Sequence, residues 1–123
     1  MLTSLLSGAG DGSSSLPALN IQNLTGATDT ISKNPFIELR ATSPLTLTST
    51  PTISVGLTDG ERIIIRGSDN TNTVTLQSET NLAGSNLYME NGQSVILGEN
   101  DWIQFRWNDL LGTWDEITRS LNS

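Results

Sequence analysis

Trp102-Ile103-Gln104-Phe105-Arg106-Trp107, the turn Asn108-Asp109-Leu110-Leu111-Gly112-Thr113, and then Trp114-Asp115-Glu116-Ile117 read as two strands closing on each other. In the first strand Ile103, Phe105 and Trp107 point one way and Trp102, Gln104 and Arg106 the other, the period of two that a half-buried strand requires. Trp107 and Trp114 flank the turn, so the pairing predicts that they meet across it. The same period runs upstream. Ile37, Leu39 and Ala41 alternate with Glu38 and Arg40, and Leu45 and Leu47 alternate with Thr46 and Thr48. Val74 and Leu76 alternate with Thr73, Thr75 and Gln77, and Leu87 and Met89 flank Tyr88. Ile63-Ile64-Ile65 and Val95-Ile96-Leu97 are continuous apolar runs, and the first reads as a strand buried on both faces. Ser43-Pro44, Asp59-Gly60, Ser68-Asp69-Asn70, Asn91-Gly92 and Asn108-Asp109 supply the turns. No stretch holds a helical period for more than a turn or two. The pattern predicts an all-β fold, a small antiparallel sandwich or jelly-roll-like module spanning residues 36–123.

Residues 1–35 differ in composition. Gly8-Ala9-Gly10-Asp11-Gly12-Ser13-Ser14-Ser15 reads as a flexible linker, because glycine and serine leave the backbone unconstrained and bury nothing. Leu16-Pro17-Ala18-Leu19-Asn20-Ile21-Gln22-Asn23-Leu24 has spaced apolar residues with no partner strand nearby in sequence. Two readings remain open: a disordered terminus, or an extended arm that folds on docking. Fully extended, the segment reaches about 115 Å at roughly 3.3 Å per residue, enough to cross onto a neighbour. In the second reading Leu16, Leu19, Ile21 and Leu24 fill pockets while the backbone adds to an exposed sheet edge.

Composition narrows function. The 123 residues carry no Cys and no His, which removes disulfides, ordinary zinc sites and His-assisted nucleophiles. Six basic residues against thirteen acidic give a net charge of −7. Lys33, Arg40, Arg62, Arg66, Arg106 and Arg119 are spread one or two per element, so neither nucleic acid nor an anionic membrane is an expected partner. Glu99, Asp101, Asp109, Asp115 and Glu116 form the densest acidic group. Paired carboxylates serve glycosidases, yet Glu99 and Asp109 read as turn residues and Glu116 as part of a solvated strand face. Calcium is the alternative use, but no Asp-x-Asp-x-Asp spacing appears. No enzyme activity, cofactor or metal is expected. Trp102, Trp107 and Trp114 read as core or subunit-interface anchors, each burying about 200 Å²; the alternative is a sugar-stacking platform. Ser and Thr make up about a quarter of the chain, which suits wet β surfaces. So small a core is expected to gain stability by homo-oligomerisation. The start shows no basic n-region and no long apolar run, so no signal peptide or membrane helix is expected.

A resemblance rests on Asp59-Gly60-x-Arg62-Ile63-x-Ile65-x-Gly67, Asn72-Thr73-Val74-Thr75-Leu76, Leu97-Gly98-x-Asn100-Asp101-x-Ile103-x-Phe105 and Trp114-x-Glu116-Ile117-x-Arg119-Ser120. This succession looks like a β module recurring in structural proteins of tailed bacteriophages. It is similar to stretches of cyanophage head-decoration (cement) proteins and tail-fibre segments. It covers residues 57–120 and departs from the pattern in the long turn 108–113. The resemblance implies a virion protein made in the host cytoplasm. A chain opening on Met1 with only an arm attached fits a free-standing capsid decoration protein, a homotrimer clamping neighbouring major capsid proteins. A tail-fibre or receptor- and carbohydrate-binding module is the alternative.

Overall fold

Nine strands and a single 3₁₀ turn carry the chain in the computed structural model, which describes residues 18–122. The strands are β1 (Asn20–Asn23), β2 (Phe36–Arg40), β3 (Leu45–Thr46), β4 (Arg62–Arg66), β5 (Val74–Leu76), β6 (Leu87–Tyr88), β7 (Val95–Leu97), β8 (Trp102–Asn108) and β9 (Thr113–Ser120). They form a six-stranded sheet ordered β1-β2-β4-β8-β9-β6 and a three-stranded sheet ordered β3-β5-β7. Inward-facing residues of both sheets share one core, from Ile37, Ile65 and Phe105 on one side to Val74, Leu76 and Leu97 on the other. No helix among the described residues is long and apolar enough to cross a membrane.

The pairing is mixed rather than antiparallel. β4/β8, β8/β9 and β5/β7 are antiparallel, whereas β1/β2, β2/β4, β3/β5 and β6/β9 are parallel. The chain path supplies the reason. β2, β3, β4 and β5 fall alternately in the large and the small sheet. The chain therefore returns to each sheet travelling in its former direction, and no helical crossover is needed. A hairpin makes its two strands antiparallel, and only β8/β9 is joined by so short a turn; β4/β8 and β5/β7 reach the same orientation through longer connections.

The boundary expected at residue 35 moves toward the N-terminus. Asn20–Asn23 pairs in register with Ile37–Arg40 as the edge strand of the large sheet. Leu24 is 5% exposed, and Ile31 is buried beside Ile53 through an isolated bridge. Residues 20–31 therefore belong to the module. Their partners lie far along the chain, which is why local periodicity does not disclose them. Leu16 and the segment 8–15 lie outside the described residues.

Two close approaches fix the corners. At Gly67 the end of β4 passes the turn after β7, where an added Cβ would lie 2.4 Å from the Gly98 carbonyl oxygen and 2.7 Å from the Leu97 carbonyl carbon. At Gly56 an added Cβ would lie 2.3 Å from Cγ of Trp107.

Candidate functional site

The acidic surplus is used to fasten loops. Glu61 accepts the N–H groups of Leu57 and Thr58 and pairs with Lys33. Glu79 accepts the N–H groups of Gly84 and Asn86 at 3.1 and 2.8 Å. Buried Asp101 accepts those of Gly98 and Asn122 at 2.9 and 2.6 Å. Asp29 and Asp69 do the same within their own turns. Each carboxylate satisfies amides that a loop would otherwise leave to water, an arrangement that orders the loop.

The expected acidic group does not converge. Asp101 is buried in its turn, Glu99 is exposed, and Asp115 accepts hydrogen bonds from Asn108 and Thr113. Glu116 does not lie on a solvated face: its side chain is 2% exposed and pairs with Arg119 at 2.8 Å. Among the described residues no group of three or more acidic side chains is placed to hold a metal.

Burial pushes the Glu38, Glu61 and Glu116 carboxyls up. The opposing hydrogen bonds and charges, from Arg40 and Arg66, from Lys33 with two loop amides, and from Arg119 with the Glu90 amide, outweigh it and hold all three below the ordinary glutamate value. The Thr25 amide likewise lowers Asp29 and the Thr71 amide lowers Asp69. A carboxyl lowered in the folded state adds stability that is complete above its unfolded pKa, 4.5 for glutamate, and is lost as pH falls through the folded value. With no histidine in the chain, the melting midpoint is expected to be flat between about pH 5 and 8 and to fall steadily on further acidification. A midpoint that holds or rises in acid contradicts these assignments.

The three tryptophans separate by face. Trp107 and Trp114 are buried, with ring centroids 5.0 Å apart at a 57° tilt. Their Nε1 groups donate to Asp109 Oδ1 at 3.1 Å and to the Ser54 carbonyl at 3.0 Å. Neither ring offers a free face for a sugar. Trp102 lies half-buried on the opposite face of β8.

That outer face of the large sheet is the first candidate surface. Register places Trp102 beside Arg66, Gln104 beside Ile64, Arg106 beside Arg62, and Phe36 beside Ile64. Phe36, Ile64, Arg66, Trp102 and Gln104 line a shallow hollow of about 290 Å³. Ile21, expected in the arm, stands beside Glu38 at the sheet edge and is 43% exposed, while Leu19 is half-buried. Glu38 is clamped by Arg40 at 2.6 Å and Arg66 at 2.8 Å, and Arg66 also lies over the Phe36 ring. Basic residues that are scattered in sequence thus gather: Arg40, Arg62, Arg66 and Arg106, four of the six, share one face. Arg62 and Arg106 are exposed and directly opposite each other, and among the described residues neither has an ion-pair partner.

The second surface is the tip beyond the β8/β9 turn. Leu110 is 91% exposed, Leu111 59% and, on the neighbouring loop, Leu57 79%. The Asp109 N–H donates to Asp59 Oδ1 at 3.0 Å and ties the two loops together. The Leu111 N–H donates to Asn108 Oδ1 at 3.1 Å. The fastened turn holds the leucines outward. Sequence periodicity does not single them out, although an adjacent Leu-Leu inside an Asn-Asp…Gly turn is a signal in itself. Comparison with protein-family models, with curated proteins and with solved structures finds no match to this chain.

Proposed function

We propose that this chain is a non-enzymatic structural protein of a tailed-phage virion, a homotrimer that decorates the capsid exterior and stabilises the shell by clamping neighbouring major capsid proteins. The observation that carries this reading is the fastening of its loops by carboxylates, which yields a stiff block with apolar groups held outward. A stiff block loses little conformational entropy on docking, and leucines gathered at one exposed tip favour a contact there. Within the reading the module serves as a jelly-roll-like block of two sheets around one core. Residues 1–17, with Leu16, together with exposed Ile21, make the capsid contact. Leu24, committed to the core, does not. A ligand that binds only the assembled, expanded lattice stabilises it by its binding free energy, multiplied over many copies.

Carbohydrate binding in a tail fibre is the second reading, favoured by half-exposed Trp102 beside Arg66 and Gln104. Removal of residues 1–17 tests the capsid contact of the first reading. The chain 18–123 is expected to melt close to the full-length protein and to lose at least about tenfold in affinity for expanded capsid shells, or about 1.4 kcal/mol. Unchanged shell affinity places attachment in the module and overturns the role proposed for residues 1–17.

A further inference from the structure

We propose that the acid-rimmed leucine tip of one copy docks on the arginine-rimmed sheet face of the next, so that the chain assembles through a head-to-tail contact between two different patches. Each patch has what the other lacks. The tip presents Leu57, Leu110 and Leu111, with Asp59 and Asp109 tied together at its base. The sheet face presents the hollow lined by Phe36, Ile64 and Trp102, bordered by Arg62 and Arg106.

The arginine pair is the stronger clue. Like charges directly opposite on neighbouring strands destabilise a sheet, and Arg62 and Arg106 occupy such a pair with no carboxylate within ion-pair distance among the described residues. Asp115, the residue across from Arg106 on β9, is engaged by Asn108 and Thr113 instead. A carboxylate from outside relieves this repulsion. The tip brings two, exposed Asp59 and Asp109, on the same projection as the leucines that fit an apolar hollow. Each accepts within the chain on one oxygen, from the Asp109 N–H and from Trp107 Nε1, whereas Asp115 accepts on both. An anionic membrane is a poor occupant for the tip, since Asp59 and Asp109 would meet its negative surface.

A contact between two different patches leaves one of each free in any open assembly, so it either closes into a ring or continues as a fibre. A ring of three is the closed form consistent with the trimer proposed above. The inference adds to that reading the surfaces that make the trimer, and its test needs no capsid shell, so the two fail separately.

The test uses the full chain and two double variants, L110D/L111D at the tip and R62E/R106E on the face, all at exposed positions. Circular dichroism checks that each retains the wild-type fold. Light scattering at tens of micromolar is expected to show wild-type protein as a closed oligomer and each variant alone as a monomer. Mixing the two variants is the decisive step. Each retains one intact patch, so together they are expected to form a one-to-one dimer and nothing larger. A monomeric wild-type chain, a tip variant that keeps wild-type size, or a mixture that stays monomeric overturns the proposal.

Discussion

Trp114→Ala is expected to lower stability by about 3–5 kcal/mol, the range for truncating a large buried aromatic. The Trp114 side chain is fully buried and packs against Trp107 at 5.0 Å between centroids. Its backbone N–H donates to the Asn86 carbonyl at 2.7 Å and its ring nitrogen to the Ser54 carbonyl at 3.0 Å. Truncation leaves a cavity, removes a ring pairing worth about 0.5–1.5 kcal/mol, and strips the Ser54 carbonyl of its donor. In a chain of this length the melting midpoint is expected to fall by roughly 10–20 °C. A midpoint within a few degrees of wild type contradicts the packing described for the hairpin. Trp102→Ala, on the half-exposed face, is expected to cost markedly less.

Gly67→Ala is expected to cost about 3 kcal/mol, at the upper end for overpacking. The atoms in the way of its Cβ are backbone: the Gly98 carbonyl oxygen at 2.4 Å and the Leu97 carbonyl group at 2.7 Å. A flexible side chain can rotate aside, but a turn fastened by the Asp101 carboxylate cannot. The Gly67 N–H also donates to the Asp101 carbonyl at 3.0 Å, so any shift loosens the same turn from both sides. Gly26→Ala, with nothing within 4 Å of its added Cβ, is the control and is expected to leave the thermal midpoint unchanged. Equal behaviour of the two variants contradicts the close approach at Gly67.

The hairpin is the part of this fold most legible in sequence. The alternation of Ile103, Phe105 and Trp107 is local, and one turn separates Trp107 from Trp114. β1 is illegible for the opposite reason: its partner β2 begins at Phe36 and runs parallel to it, so no adjacent turn announces the pairing. The continuous run Val95-Ile96-Leu97 belongs to the small sheet, and its outer residue Ile96 is 59% exposed. Ile64, in the other run, is half-buried on the large sheet's outer face, between its cross-strand neighbours Phe36 and Gln104. Apolar continuity alone does not distinguish these two situations. The candidate surfaces follow the same division. Arg62 and Arg106 stand opposite each other only because β4 and β8 pair, and Leu57 joins Leu110 only because Asp59 accepts the Asp109 amide. Register and loop fastening bring together residues that composition scatters.

The role proposed for this chain is decoration of an expanded shell. Its most direct test is co-sedimentation of the purified full-length chain with shells assembled from the major capsid protein of the same genome, before and after expansion. Saturable binding to the expanded shell alone, with a higher disruption temperature for the decorated shell, is the result expected. Absence of binding to either shell, together with retention of the chain on host-surface polysaccharide, contradicts it.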